Sequence, residues 1–313
     1  MTVAERCLVP LPATDAYVQL SLLDGGSFIG EISKIHAGVE KQNFRMYNWA
    51  FYLSHRGRHI LWDLGLEQDR ACYTPWVNKF MLDEVEFVGP RRSIVQQLKE
   101  RGVDRKDVDT VFHAHWDHCR PIRDVFPNAT ANFGPGTRDG CSPGHMVDPS
   151  LQWDGRFFDP EHATERWHEL NGDWIAFGPF EKAMDYFGDG SFWVMQAPGH
   201  MAGNLCAAAR IESGEWILLG SDCCHSRELL DGKFQIAKFS VPGLGKMSLH
   251  ADICAAERTI SNIRVLERDY GFHVALAHDA WWLKQGTDAV LMSLLDDHMR
   301  EAAQARILRD GRP

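Results

Sequence analysis

A single heptapeptide, His113-Ala114-His115-Trp116-Asp117-His118-Cys119, constrains this chain more than any other segment. It sets three imidazoles and one carboxylate directly after the apolar run Val108 to Phe112. That run reads as a buried strand, so the polar side chains fall at its carboxyl end and in the turn beyond. Imidazole nitrogen and carboxylate oxygen are donors that zinc accepts, as do manganese, iron and cobalt. His113 and His115 stand two apart and share one side of an extended backbone. Asp117 and His118 follow past a bend and can face a second point nearby. The spacing suits two adjacent metal ions sharing one water rather than one closed structural site.

Further apolar runs end on residues of the same kind. His200 follows Phe192 to Met195 through Gln196-Ala197-Pro198-Gly199. Asp222 ends Trp216-Ile217-Leu218-Leu219-Gly220-Ser221-Asp222, and His278 ends Val274-Ala275-Leu276-Ala277-His278. Upstream, Asp63 closes His59-Ile60-Leu61-Trp62-Asp63. Ligands of layered α/β proteins gather at the carboxyl edge of strands, where rigid strands meet open loops.

In this order of motifs the chain resembles the metallo-β-lactamase-fold hydrolase superfamily, over roughly residues 45 to 280. Ala114-His115-Trp116-Asp117-His118, followed by Phe126-Pro127-Asn128-Ala129, is most similar to the N-acyl-homoserine lactonase branch. The resemblance implies that His113, His115 and His200 bind one metal and Asp117, His118 and His278 a second. It implies that Asp222 bridges the two and that Asp63 holds the His-rich loop without touching metal. In the lactonases a tyrosine commonly lies three residues after the bridging aspartate and contacts the substrate carbonyl. Here that position is His225. A histidine can also donate a hydrogen bond to an oxyanion, with different reach and pKa.

The 313 residues are read as one domain, because the candidate site spans Asp63 to His278 and a split would cut it. The formal net charge of −10 disfavours a nucleic-acid substrate, which selects a basic face. Met1 to Pro12 carries no secretory pattern, and no apolar run approaches a membrane span, so a cytoplasmic location is expected. Nothing in the sequence argues for or against a homodimer. The eight cysteines make no C-x-x-C pair and are expected reduced; Cys119, Cys223 and Cys224 flank the ligands as buried neutral thiols.

Strands are expected at Tyr17 to Leu23, Tyr47 to Ser54, His59 to Leu64 and Val108 to His113. The second and third form a hairpin around His55-Arg56-Gly57-Arg58. Asp24 to Gln42 reads as loop, and Arg92 to Arg101 as a short amphipathic helix. A second run of strands is expected at Ala183 to Phe187, Ser191 to Gln196, Asn204 to Ile211 and Trp216 to Leu219, with a last strand at Phe272 to Ala277. Helices are expected at Lys246 to Asp269 and Asp288 to Leu308. Two rounds of strands followed by helices fit a four-layer αβ/βα sandwich, two mixed sheets flanked by helices. Between Gly134 and Trp174 the pattern breaks down, with four prolines and many aromatics. It reads as an insertion that covers the cleft, with helical turns around Glu161 to Leu170.

The chemistry expected is hydrolysis of a carbonyl compound by a hydroxide held between two divalent ions, zinc foremost. His225 would stabilise the oxyanion and Asp117 would protonate the leaving group. Aromatics are expected around the site: Phe28, Phe44, Tyr47, Trp49, Trp116, Trp153, Phe157, Phe158 and Trp281. Of these, Trp116, Trp153, Phe157, Phe158 and Trp281 are the candidate pocket, which favours a small, partly hydrophobic substrate. Activated cyclic esters come first by resemblance. Cyclic amides and carbamates follow, then thioesters as in the glyoxalase II and polyketide-thioesterase branches. A diiron oxidoreductase would be expected to carry an acidic residue where His115 stands, and a non-catalytic descendant to have lost ligands.

Overall fold

The structure is a computed structural model and describes residues 9–112, 115–241, 245–295, 300 and 305–309. Among these residues two six-stranded sheets pack face to face. The first runs through Gln19–Leu23, Ala50–His55, Arg58–Trp62, Thr110–Phe112, Thr130–Phe133 and Trp167–Glu169, in spatial and chain order alike. The second runs through Ile175–Phe177, Phe180–Asp185, Phe192–Gln196, Leu205–Arg210, Trp216–Leu219 and His273–Ala275 in the same manner.

Alternation along the strands builds the layers. Phe51, Leu53, Ile60, Trp62 and Phe112 of the first sheet meet Phe192, Val194, Ala207, Ile217 and Leu219 of the second. Residues one step out of phase point the other way. Leu61, Val111, Ala131 and Phe133 pack with Ile94 and Leu98 of the helix Ile94–Glu100. Met195, Cys206, Ala208 and Leu218 pack with Ile260, Ile263 and Leu266 of the helix Ile253–Tyr270. Fully burying one such large side chain contributes about 1.5–3 kcal/mol. The order is helix, sheet, sheet, helix. No helix among the described residues is long and apolar enough to cross a membrane.

Each sheet places a site edge through parallel strands. Arg58–Trp62 pairs in parallel with Thr110–Phe112, with Trp62 opposite Phe112. Trp216–Leu219 pairs in parallel with His273–Ala275, with Leu219 opposite Ala275. Parallel neighbours need a crossover, and the two helices named above lie between the paired strands in the chain. Ser93 and Gln96 form a reciprocal capping box on the first helix. Asp252 caps the second, and Gly271 ends it at φ 74°. Both pairs therefore deliver their carboxyl ends to one edge. The hairpin turn expected at residues 55–58 is present: Arg56 (φ 49°) and Gly57 (φ 77°) give the two left-handed residues that a tight two-residue turn requires.

Five expectations are corrected. Residues 24–42 are not all loop, because Ser27–Glu31 pairs with Asn43–Tyr47 and Phe87–Val88 in a separate three-stranded sheet. The strand expected at Tyr47 to Ser54 accordingly splits at Asn48-Trp49, where the chain passes from that sheet to the first. The segment Glu161 to Leu170 is not helical. Ala131 donates to the Arg166 carbonyl and Leu170 to the Phe133 carbonyl, so Trp167–Glu169 joins the sheet edge. The short helices of the insertion are instead Thr137–Cys141 and Gly155–Phe158. The helix expected from Lys246 starts only at Ile253, since Gly245–Met247 pairs with Phe239–Val241. The long final helix is a short one, Ala289–Ser293, turning at Leu294, whose carbonyl accepts from Leu22 of the first strand. Residues 305–309 are helical again, and 296–299 and 301–304 lie outside the described residues.

Candidate metal centre

At the shared edge two residues without glycine's freedom adopt left-handed backbone, Asp63 (φ 63°) and Ser221 (φ 39°). Such a conformation costs about 1–2 kcal/mol and persists where surrounding bonds enforce it. Here Asp63 N–H donates to the Phe112 carbonyl at 2.7 Å. Ser221 Oγ donates to Asp63 Oδ2 at 2.6 Å and accepts from Trp62 Nε1 at 2.8 Å. The two sheet edges are thereby tied across the centre, and His118 Nδ1 lies 3.6 Å from the same Asp63 oxygen. Burial pushes the Asp63 carboxyl up to about 6.

His115, Asp117, His118, His200, Asp222 and His278 converge, all but His115 buried. His113 lies outside the described residues. Asp117, His118, Asp222 and His278 each offer a ligand atom within 4.8 Å of the others, and His115, His200 and Asp222 do likewise. Asp222 belongs to both groups. Its Oδ1 lies 2.7 Å from His278 Nε2 and 3.3 Å from His118 Nε2, while its Oδ2 lies 3.4 Å from His200 Nε2 and 3.5 Å from His115 Nδ1. Asp117 faces His115 Nδ1 at 2.9 Å and His118 and His278 Nε2 at 3.5 Å each.

Three observations fit cations between these groups. Both ring nitrogens of His118 and Nδ1 of His200 are buried without a hydrogen-bond partner. His278 Nδ1 donates to the Tyr47 carbonyl at 2.6 Å. In the neutral ring this leaves Nε2 as a bare lone pair facing the Asp222 and Asp117 carboxylates, an arrangement that a metal ion satisfies and an empty gap does not. Two buried carboxylates also face each other's charge, which a divalent ion offsets. The imidazole and carboxylate donors suit zinc and its first-row neighbours.

Electrostatics divide the histidines. Burial opposes charge on His115, but its bonds to Asp117 and Asp222 win and raise it to about 9. His118 is likewise carried well above its ordinary value, against burial, by Asp222, Asp117 and Asp63. Asp117 and Asp222 are held low against burial by the histidines around them, His118 first. His200 goes the other way: burial pushes it down to about 3. Burial similarly lowers His225 far below its usual range and His250 to about 4.

His225 is buried with Nε2 3.9 Å from Asp222 Oδ1 and its ring parallel to His278 at 5.5 Å. Its other nitrogen, Nδ1, sits 3.2 Å from His250 Nε2. His250 was not among the candidates read from the sequence; a lone His before a helix cap gives no local signal. Ala251 and Asp252 N–H donate to the His200 and Gly199 carbonyls, docking this turn against the His200 loop. Gly199 (φ 139°) permits the approach, since a Cβ there would lie 2.3 Å from Ala256 N. Two other supports were also not anticipated. Asn48 Nδ2 donates to Asp117 Oδ2 at 3.0 Å. Buried Arg120 donates to the Leu64, Gly65 and Leu66 carbonyls beneath the Asp63 loop.

Trp116, next to His115, lines a cleft with Tyr73, Cys119, Trp153 and Phe158. The insertion forms its far wall, fastened where Arg156 donates to the Cys72 carbonyl and Thr74 to the Gln152 carbonyl. Phe157 is instead a core residue, 1% exposed and edge-on to Phe133. Tyr47 and Trp49 are also core, stacked at 5.3 Å. Trp281 is 50% exposed at the start of the helix Trp281–Gln285 and is not among the residues that line this cleft. Burial pushes the Cys224 thiol up to about 12, and Cys119 and Cys223 well above their ordinary value, so all three are neutral.

No family model matches the chain. Known proteins do. It is 30% identical over 186 residues to the gamma-lactamase MBL2 of Gibberella moniliformis, covering 53% of this chain and 70% of that protein. It is 28% identical over 309 residues to the protein named cytochrome P450 monooxygenase mpaDE' of Penicillium brevicompactum, covering 89% of this chain and 36% of that one. The chain thus spans between about a third and a half of the length of the curated relatives it matches first. In fold it is similar to a variant of AiiA from B. thuringiensis with N-decanoyl-L-homoserine bound at the active site. The TM-score is 0.62 at 15% identity, over 85% of this chain and 95% of that one. The ordered His and Asp motifs, the two-sheet fold and these relatives agree: the chain belongs to the metallo-β-lactamase-fold hydrolase superfamily, and within it is similar to N-acyl homoserine lactonases.

Proposed function

We propose that this chain is a dinuclear-metal hydrolase that opens a small, partly hydrophobic cyclic ester or amide. The observation that carries the reading is the placement of Asp222, whose two oxygens face separate groups of imidazoles. His113, His115 and His200 would hold one divalent ion, and Asp117, His118 and His278 the other, with Asp222 common to both. Zinc ions bound there would supply hydroxide at neutral pH and polarise a carbonyl.

The chain's own residues do the rest. Asp63 and Ser221 hold the two sheet edges and orient His118. The Tyr47 carbonyl fixes the His278 tautomer. Asn48 steadies Asp117, which would take the proton that the attacking hydroxide gives up and pass it to the leaving oxygen or nitrogen. His225 turns Nε2 toward Asp222 and would donate to the carbonyl oxygen. Trp116, Trp153 and Phe158 form an apolar wall for the rest of the substrate. Relatives named as a gamma-lactamase and as N-acyl homoserine lactonases support ring opening. With the site drawn from Asp63 to His278, the chain acts as one domain in which residues 134–174 wall the cleft.

The test is a hydrolysis screen on purified protein with metal content measured on the same sample. The panel holds acyl lactones, aromatic lactones, cyclic amides, cyclic carbamates and thioesters. Two ions per chain with preference for one ring type supports the reading. Two ions with preference for thioesters replaces the substrate class, and no turnover on the panel rejects it.

A further inference from the structure

Among the described residues, the buried pair His225 and His250 is a cluster of titratable side chains near the centre that the metal assignment leaves without a role. Their rings lie 4.7 Å apart, with His225 Nδ1 3.2 Å from His250 Nε2. His200 packs against both, at 5.0 and 5.5 Å. Three buried imidazoles so close cannot all carry charge, since like charges repel strongly away from water. A neutral pair holds two ring protons, one of them between the rings.

Two arrangements remain, and the surroundings separate them. If His225 Nδ1–H donated, His250 would bury its Nδ1–H, a position with no hydrogen-bond partner. That leaves a buried donor unmade. If His250 Nε2–H donates instead, the partnerless His250 Nδ1 is an acceptor, which costs less to leave bare, and the second ring proton falls on His225 Nε2. The second arrangement avoids the unmade donor. The turn that carries His250 is held firmly enough to enforce it: residues 251 and 252 donate to the carbonyls of His200 and Gly199, and His250 N–H donates to Ser248 Oγ.

We infer that His250 is a positioning residue, which fixes His225 in the tautomer that presents Nε2–H to the carbonyl oxygen of the substrate. The inference rests on the hydrolase reading above, in which that donor meets the developing oxyanion. A donor at Nε2, rather than a lone pair, also keeps His225 from serving as a further metal ligand.

The experiment has two arms on the zinc-loaded protein. In the first, long-range proton–nitrogen correlation spectra of histidine-labelled protein report which nitrogen of each ring carries hydrogen. We expect Nε2–H on both His225 and His250; Nδ1–H on His225, or a metal-type shift on its Nε2, overturns the inference. In the second, His250→Leu and His250→Gln are compared with wild type on the preferred ring substrate. For His250→Leu we expect kcat to fall about 10- to 100-fold, as for other groups that orient a site residue. KM and metal content should stay close to wild type. His250→Gln, whose amide can donate in place of Nε2–H, should recover most of the loss. Equal kcat in His250→Leu and wild type, or equal losses in Leu and Gln variants, overturns it. A wild type inert on the whole panel sinks the hydrolase reading instead, while the spectra still decide the tautomer.

Discussion

Two sets of histidines surround Asp222: His115 and His118 lie among carboxylates, the acidic side, while His200, His225 and His250 lie among one another, the neutral side. The residue type is the same and the electrical setting is opposite. Carboxylates raise the first pair well above the ordinary histidine range, and burial lowers the other three well below it. The first setting holds more negative charge than its histidines can answer unless cations enter. The second keeps its rings neutral, so they serve as dipoles and donors. His200 belongs to both: its Nε2 faces Asp222 while its ring packs on His225. The comparison assigns cation binding to the acidic side and orientation of substrate to the neutral side.

The variant with the largest expected effect removes the residue that both sets face. Asp222→Ala should lose both ions and reduce turnover to background; full activity with two ions retained would break the comparison outright. Stripping metal from the wild type with a chelator comes next, because buried carboxylates would be left facing one another. Ions present at about 1,000 times Kd contribute about 4 kcal/mol, so Tm should drop by roughly 6 °C in a chain of this size. An unchanged melting curve would mean that the acidic side does not need cations.

The aromatic residues sharpen the picture on a smaller scale. Phe157→Ala should destabilise the fold by about 3–5 kcal/mol, as deletion of a buried ring does, and leave KM unchanged in the folded fraction. Trp153→Ala should do the reverse, raising KM with little change in melting. Exchange of those outcomes would move the pocket wall. The smallest effect is expected for Ser221→Ala. Losing the bond to Asp63 should cost about 1–2 kcal/mol of stability and weaken metal binding modestly, read by competition with a chromogenic chelator.

These same residues show what the sequence made legible. His115, Asp117 and His118 are local to one turn, and His200, Asp222 and His278 each end an apolar run, so spacing alone marked them. The four-layer order followed from strand and helix periodicity. His250, Asn48 and Arg120 escaped because their roles arise from contacts across the fold. Asn48 meets Asp117 across 69 positions of chain, and His250 meets His225 through a turn that periodicity read as helix. The helical turns expected near Glu161 failed for a related reason. Strand addition at a sheet edge depends on the neighbouring Thr130–Phe133, not on any pattern within the segment. The pair Phe157-Phe158 looked like one loop tip, yet one ring is core and the other also lines the cleft.

The central claim is that Asp222 is shared by two ions on the acidic side and that the neutral side holds none. A crystal structure of the zinc-loaded protein with anomalous data on both sides of the zinc edge tests it most directly. The account predicts two peaks flanking the Asp222 carboxylate, one among Asp117, His118 and His278 and one beside His115 and His200. A single peak, or a peak enclosed by His200, His225 and His250, would contradict it.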